Sequence, residues 1–357
     1  MNAMPILLAA LAVPAGAFLL GSLVRRLCRL ATPADEVRYA PTADGWLLAL
    51  HRYRPARTAE PARFPVILCH GLLSNRYVVD LDEDHSLARH LAHRGFDVWV
   101  MELRGHGLSH RAATGGIRPF DWTIDDYVRQ DLPAVVKHVR EATGAAQVHW
   151  FGHSLGGMIL YAACALGLTS GIRSAVMGDV PGSFRDDRRP GRFGMAYVRL
   201  IPAVPPLLVI PFTLLLGLLS PSLFLPRYGI RRRRTMLRIV SNGIVDFGSS
   251  KVARQLIGMI ERRCFTSADG AIDYEAGVAR LHFPVLQLAA VARRSPEAVV
   301  RALIERCPVA DKTYRRLARS EGFSEDYNHF NLLLGENAPR EIFPIVAAFL
   351  ERTGREG

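Results

Sequence analysis

Between Val66 and Val180 short apolar runs alternate with stretches of helical period, and this alternation constrains the fold more than any other feature of the chain. The runs VILCH (Val66–His70), DVWVMEL (Asp97–Leu103), VHWF (Val148–Phe151) and SAVMGDV (Ser174–Val180) have the length and residue types of buried strands. Between them lie SLARHLAHRG, with Leu87, Ala88 and Leu91 on one helical face and Gly95 as a stop, and TIDDYVRQDLPAVVKHVREATG. The latter places Tyr127, Leu132, Val135, Val136 and Val139 on one face, with Thr123 as N-cap and Gly144 as the end. LGGMILYAACALG reads as a third helix with a small-residue face. Strands that alternate with helices predict an α/β fold: a mostly parallel sheet with helices on both faces. Upstream, EVRYAPTADGWLLALHRYRP reads as a hairpin turning at Asp44-Gly45.

The pattern stops near residue 182 and resumes near 281 with PVLQLAAV, a helix from Pro296, a strand near Lys312–Leu317 and a final helix PREIFPIVAAFLERT. The expected organisation is therefore a segment 1–30, a core in two parts (31–181 and 281–357) and an insertion, 182–280, after the sixth strand. Within the insertion, 26 uncharged residues run from Ile201 to Pro226, long enough to span a bilayer but broken by six prolines. Sheet strands precede and follow it, so one crossing would split a single sheet across the membrane. The run is expected to be a helical, apolar cap that packs on the core or dips into one leaflet, with Arg231–Arg234 against lipid phosphates or as a solvated turn.

A second long run, Met4–Val24, holds 21 residues without a charge, and Arg25, Arg26 and Arg29 follow it. That order predicts one membrane-spanning anchor with the rest of the chain on the cytoplasmic side. A signal peptide cut near Pro14–Ala17, leaving a secreted or periplasmic protein, is the alternative. The net charge of +12 comes from arginine, since Lys137, Lys251 and Lys312 are the only lysines. With no basic stripe interleaved with aromatics, this excess fits membrane lipids as partners and not nucleic acid. Five scattered cysteines without a CxxC pair predict neither a disulfide framework nor a zinc site. His85, His90 and His93 sit near one helix, but only His90 and His93 share a face, so no metal is expected.

The stretch HWFGHSLGGMIL places Ser154 between a strand and a helix, with Gly152 and Gly156 at minus two and plus two. A serine in so sharp a turn is held at strained φ/ψ with its hydroxyl projecting above the sheet. The amide of Leu155 then points at the helix start, where an oxyanion can be held. This context identifies Ser154 as the candidate nucleophile, with Gly152, His153 and Gly156 forming its elbow.

At these residues the chain resembles the α/β-hydrolase superfamily, in particular its lipase- and esterase-like branch, over roughly residues 36–353. CHGLLSN (Cys69–Asn75) looks like the family's oxyanion loop, which implies the Leu72 and Leu155 amides as the oxyanion hole. ELRGHGLS (Glu102–Ser109) resembles D-x-R-G-H-G-x-S, with Glu102 in place of the usual aspartate. DYNHFNLLLGENA resembles D-Y-G-H-x-D-x-L-x-G-x-x-A, which carries the catalytic histidine onto His329 and leaves Asn328 and Asn331 as departures.

The triad acid is not where the family pattern P-V-L-x-x-x-G-x-x-D would have it: in that register Ala290 stands at the glycine and Arg293 at the aspartate. A cation there disfavours an imidazolium. Asp179, at the end of SAVMGDV, is the preferred replacement because sites lie at the carboxyl edge of such sheets. Glu297, Asp246 in the insertion, and no acid at all are the other readings. The resemblance implies a hydrolase of lipophilic carboxylic esters acting through an acyl-enzyme on Ser154, with no cofactor or metal. An acyltransferase or polyester-type enzyme on the same fold, and a non-catalytic binder that has lost its acid, remain as rivals.

Overall fold

The computed structural model describes residues 33–72, 74–111, 121–185, 249–291 and 297–355, with side chains of 297–299 left aside, and the isolated positions 16, 19, 23, 26 and 30. Among the described residues nine strands form one sheet: β1 (Glu36–Pro41), β2 (Trp46–Tyr53), β3 (Val66–Cys69), β4 (Val98–Met101), β5 (His110–Arg111), β6 (Val148–His153), β7 (Ile172–Gly178), β8 (Val285–Ala290) and β9 (Lys312–Leu317). Their order is β1-β2-β4-β3-β6-β7-β8-β9, with β5 paired to β2. Pairing is antiparallel at the β1, β2 and β5 end and parallel from β4 through β9. The two-residue β5 has no apolar pattern for the sequence to show; with it, segment 182–280 follows the seventh strand where the sequence predicts the sixth.

Helices α1 (Leu87–His93), α2 (Leu132–Thr143), α3 (Leu155–Leu166), α5 (Glu297–Glu305) and α6 (Phe343–Arg355) accompany the strands, and α4 (Ser250–Arg262) lies within segment 182–280. Period-two alternation sorts the central strands onto two cores. Ile67, Trp99 and Trp150 face the cluster containing Val135, Val136 and Met158 of α2 and α3. Val66, Val98 and Phe151 face the cluster containing Leu87, Leu91 and Val346 of α1 and α6. Burial of β3 and β4 on both faces explains why they read as unbroken apolar runs.

Local signals mark several helix ends, the expected one at Gly144 among them. Gly144 and Gly167 take left-handed φ at the ends of α2 and α3, and the Ser86 hydroxyl accepts from the Arg89 amide at the start of α1. Two expectations need correction. The helix entering α2 passes through a π-turn at Tyr127–Asp131, and the terminal helix is two pieces, Ala338–Glu341 and α6, broken at Ile342. Pro344 accounts for the break, because its ring and missing N–H disrupt the preceding turn.

The π-turn carries Asp131, which is fully buried and takes Arg104 through Nε at 2.8 Å and a terminal nitrogen at 2.6 Å. Arg104 also reaches Asp44 at the hairpin turn at 2.6 Å. Burial pushes the Asp131 carboxyl up to about 6 even against the charge of Arg104. Removing the guanidinium strands a buried carboxylate. Arg104→Met is therefore expected to destabilise the fold by about 3–5 kcal/mol, and Arg104→Met/Asp131→Leu to recover much of the loss, as read by urea denaturation.

The described residues of segment 182–280 are stitched to the strands and helices before them. Gln255 of α4 accepts from the Ile124 amide at 2.8 Å, and Asp125 accepts from Gln255 and from Tyr274, both at 2.8 Å. The 201–226 run and Arg231–Arg234 lie outside the described residues. Among the described residues no helix is long and apolar enough to cross a membrane. Of Met4–Val24 only Gly16, Leu19 and Leu23 are described, all helical and exposed.

Candidate active site

Strand order brings the site together. The chain leaves β3 toward β4 on one side and leaves β6 toward β7 on the other, so a crevice opens between the carboxyl ends of β3 and β6. Ser154 stands at that point, directly after β6 and at the N-terminus of α3, with φ 53° and ψ −118°. Its amide donates to the Gly178 carbonyl at 3.0 Å, and its carbonyl accepts from Gly157 and Met158. The strained turn is thus held from the neighbouring strand and from the helix. Both elbow glycines are sterically required: a Cβ on Gly152 would lie 2.5 Å from the Gly157 nitrogen, and one on Gly156 2.5 Å from the Cys69 carbonyl oxygen.

The loop after β3 packs onto this elbow. A Cβ on Gly71 would lie 3.0 Å from Ser154 Cβ, so the loop packs against Ser154 just before Leu72. His70 staples the loop to the neighbouring one. Its Nδ1 donates to the Gly71 carbonyl at 2.8 Å and its Nε2 accepts from the Leu103 amide at 3.1 Å. Burial, with His106 beside it, pushes the His70 pKa down to about 3, so it serves as a neutral strut. Leu155 opens α3, and its amide has no intrahelical partner.

Glu102 lies beneath the same edge. It is buried and accepts from His51 Nε2 at 3.0 Å and from the Leu108 amide at 2.7 Å. Burial opposes its charge, but the His51 bond and the Leu108 amide outweigh it and hold the carboxyl below its usual range. A Cβ on Gly107 would fall 1.9 Å from the Glu102 carboxylate. The glutamate that replaces the family's aspartate thus lies flush against glycine backbone.

Asp179 lies one residue beyond β7, not within the strand as the sequence suggests, and has φ 47°. Only Ser154, Asp179 and Arg263 among the described non-glycine residues have positive φ. The Asp179 amide donates to Leu288 O at 2.9 Å, and Oδ1 accepts from the Ala290 amide at 3.0 Å. Oδ2 lies 2.7 Å from His329 Nδ1, which donates to it. Burial raises the cost of its charge, yet the His329 bond and the Ala290 amide together keep its pKa below the usual aspartate value. Asp179 is 6% exposed and the His329 side chain 34%, so the carboxylate is shielded while the imidazole opens to the crevice.

His329 sits on a loop anchored at its base by the Tyr327 amide on Leu317 O and the Val291 amide on Tyr327 O. The two asparagines that depart from the family pattern bracket it. Asn328 Oδ1 accepts from the Phe330 and Asn331 amides at 2.9 and 3.0 Å, and Asn331 Oδ1 accepts from the Asn328 amide at 2.6 Å. Asn331 Nδ2 donates in turn to Glu325 at 2.8 Å. The N-x-x-N spacing is the sequence signal for this reciprocal cap.

With Nδ1 committed to Asp179, His329 Nε2 bears the lone pair that a general base needs. Ser154 Oγ makes no hydrogen bond among the described residues. In ligand-free sites the nucleophile–base contact is commonly long and tightens on binding. Asp246 and Arg293 lie outside the described residues, and Glu297 opens α5. His85 pairs with Asp82 at 3.0 Å and His90 packs on Phe343.

A family model described as alpha/beta hydrolase fold matches residues 65–199. Triacylglycerol lipase 2 of Arabidopsis thaliana is 37% identical over 146 residues, which is 38% of this chain and 35% of that protein. The match thus spans about a third of the curated relative. A putative aryl esterase from Burkholderia cenocepacia superposes with a TM-score of 0.57 at 18% identity, over 89% of this chain and 99% of the other. Paleococcus ferrophilus monoacylglycerol lipase superposes with a TM-score of 0.52 at 20% identity, over 85% and 99%. At such identities the structural likeness bears on the fold alone. The architecture is the α/β-hydrolase fold.

Proposed function

We propose that this chain, which has the α/β-hydrolase fold, is a serine hydrolase of lipophilic carboxylic esters, with Ser154, His329 and Asp179 as its triad. The observation that carries the reading is the 2.7 Å bond from His329 Nδ1 to Asp179, beside a strained Ser154 at a helix N-terminus. Ser154 Oγ attacks the ester carbonyl while His329 Nε2 takes its proton. The carbonyl oxygen becomes an oxyanion, held by the Leu72 and Leu155 amides. Asp179 stabilises the imidazolium. As the C–O bond breaks, His329 passes the proton to the leaving alcohol and an acyl-enzyme remains. Water, deprotonated by the same nitrogen, then releases the acid and restores the serine. Ser154 attack needs no cofactor or metal.

The lipophilic preference rests on the relative named a triacylglycerol lipase and on the apolar run Ile201–Pro226. Labelling of the full chain with an active-site fluorophosphonate tests the reading. Wild-type protein that never labels would remove it and favour a non-catalytic binder. The motive for that binder was a missing acid, and Asp179 now stands at hydrogen-bond distance from the histidine. Product analysis with water and alcohol acceptors separates hydrolysis from acyl transfer.

Met4–Val24 is proposed as a membrane anchor, with Arg25, Arg26 and Arg29 keeping the hydrolase domain on the cytoplasmic side. The insertion 182–280 is its proposed cap. The full chain is expected to stay with membranes in alkaline carbonate, and a C-terminal fusion to be active only with a reporter that works in the cytoplasm. A mature chain beginning near residue 18 would refute the orientation.

A further inference from the structure

His153, the residue before the proposed nucleophile, has no part in the steps above. It is 2% exposed, and its ring lies between the two loops that the chemistry requires. On one side its Nε2 donates to the backbone carbonyl of His329 at 2.8 Å, and the two imidazole rings lie 4.7 Å apart at 37°. On the other side its Nδ1 is buried, has no hydrogen-bond partner among the described residues, and faces Gly71 of the loop that bears Leu72. A Cβ at Gly71 would lie 3.2 Å from that nitrogen.

Leaving a ring nitrogen buried without a donor is unfavourable, and an apolar side chain would fill the space without that cost. The histidine is therefore explained by its other nitrogen, the one bonded to His329. That bond is made to main chain, so it acts on where the His329 loop sits and not on the charge of its imidazole. Because His153 is covalently next to Ser154, the bond ties the base's backbone directly to the nucleophile's.

We propose that His153 is a positioning residue: its Nε2–H holds the His329 backbone to the nucleophile elbow, and its ring seats the Leu72 loop against the same elbow. The proposal rests on the reading of Ser154 and His329 as nucleophile and base. Burial, and after it the nearby His329, keep the His153 pKa down at about 3. The ring therefore remains a neutral donor and adds no second cation when His329 takes the serine proton. An arginine or lysine would offer a donor as well, but would place a fixed charge beside the imidazolium.

The test compares His153→Phe, which keeps the ring and loses the donor, with His153→Gln, which keeps a donor, both in the full chain. The readouts are the fluorophosphonate labelling rate and kcat and KM for a short-chain nitrophenyl ester. A misplacement of about 1 Å between reacting groups costs on the order of a hundredfold. His153→Phe is thus expected to lose roughly ten- to a hundredfold in both kcat and labelling rate with KM little changed. His153→Gln should recover most of that loss. If His153→Phe does not fold, His153→Leu against His153→Gln makes the same comparison. Wild-type rates in the donor-less variant, or equal losses in the donor and donor-less variants, would overturn the proposal while leaving the hydrolase reading intact. A wild type inert to both reagents would remove that reading and this proposal with it.

Discussion

Ser154→Ala is expected to abolish fluorophosphonate labelling and to lower ester turnover by on the order of a millionfold, the scale of losing a serine nucleophile. The fold should be untouched. Ser154 Oγ makes no hydrogen bond among the described residues, while the turn is held by backbone bonds from Ser154 N to Gly178 O and from Gly157 and Met158 to Ser154 O. Alanine preserves all three. The melting temperature should therefore stay within a few degrees of wild type or rise slightly, as is common where a functional residue is replaced. Ester cleavage that survives Ser154→Ala at more than about a hundredth of the wild-type rate would reject Ser154 as the nucleophile, since oxyanion-hole binding alone leaves far less.

The second large effect is expected from Asp179→Asn. The Ala290 amide donates to Oδ1, and an asparagine oxygen accepts there equally well. Asparagine also tolerates the positive φ at this position better than most residues do. The backbone should hold its course. What is lost is the charge facing His329 Nδ1 at 2.7 Å. An amide does not stabilise the imidazolium, and an amide nitrogen turned toward the ring favours the tautomer whose Nε2 carries the proton. Turnover should fall on the order of ten-thousandfold, with the melting temperature at neutral pH lowered by no more than a few degrees. Glu297→Gln is the control and is expected to be near wild type. The pH dependence has a definite sign. Because the Asp179 carboxyl is held below its ordinary value, the stability it contributes is fully present above the unfolded aspartate pKa of about 4. That stability is lost as pH falls through the lowered folded value. Asp179→Asn should therefore narrow the stability gap to wild type under acid, and a gap that widens there would contradict the lowered carboxyl pKa.

The sharp turn at Ser154, the two glycines around it, the loop after β3 and the loop that carries His329 were legible in the sequence. Each is specified locally, by strand-to-helix change of period, by turns that admit only glycine, or by a compact motif. The same holds for the hairpin at Asp44-Gly45 and the helix end at Gly144. Asp179 was legible only as one of several carboxylates. Nothing in SAVMGDV distinguishes a triad acid from a turn-capping aspartate, because the role needs only a carboxylate at the carboxyl end of some neighbouring strand.

Tertiary structure brings one of those carboxylates to within 2.7 Å of His329. The β7–β8 ladder, with the Asp179 amide on Leu288 O and the Ala290 amide on Oδ1, aims the carboxylate along the sheet edge. The Val291–Tyr327 bond brings the His329 loop to meet it, across 150 residues of chain. The bond from His153 to the His329 carbonyl and the reciprocal Asn328–Asn331 cap belong to the same category. The sequence by itself determined which segments become strands and helices and where the nucleophile must turn, because backbone sterics and hydrophobic period act over a few residues. Which acid faces the histidine, and what holds that histidine in place, depended on strand order and loop closure, which no local pattern encodes.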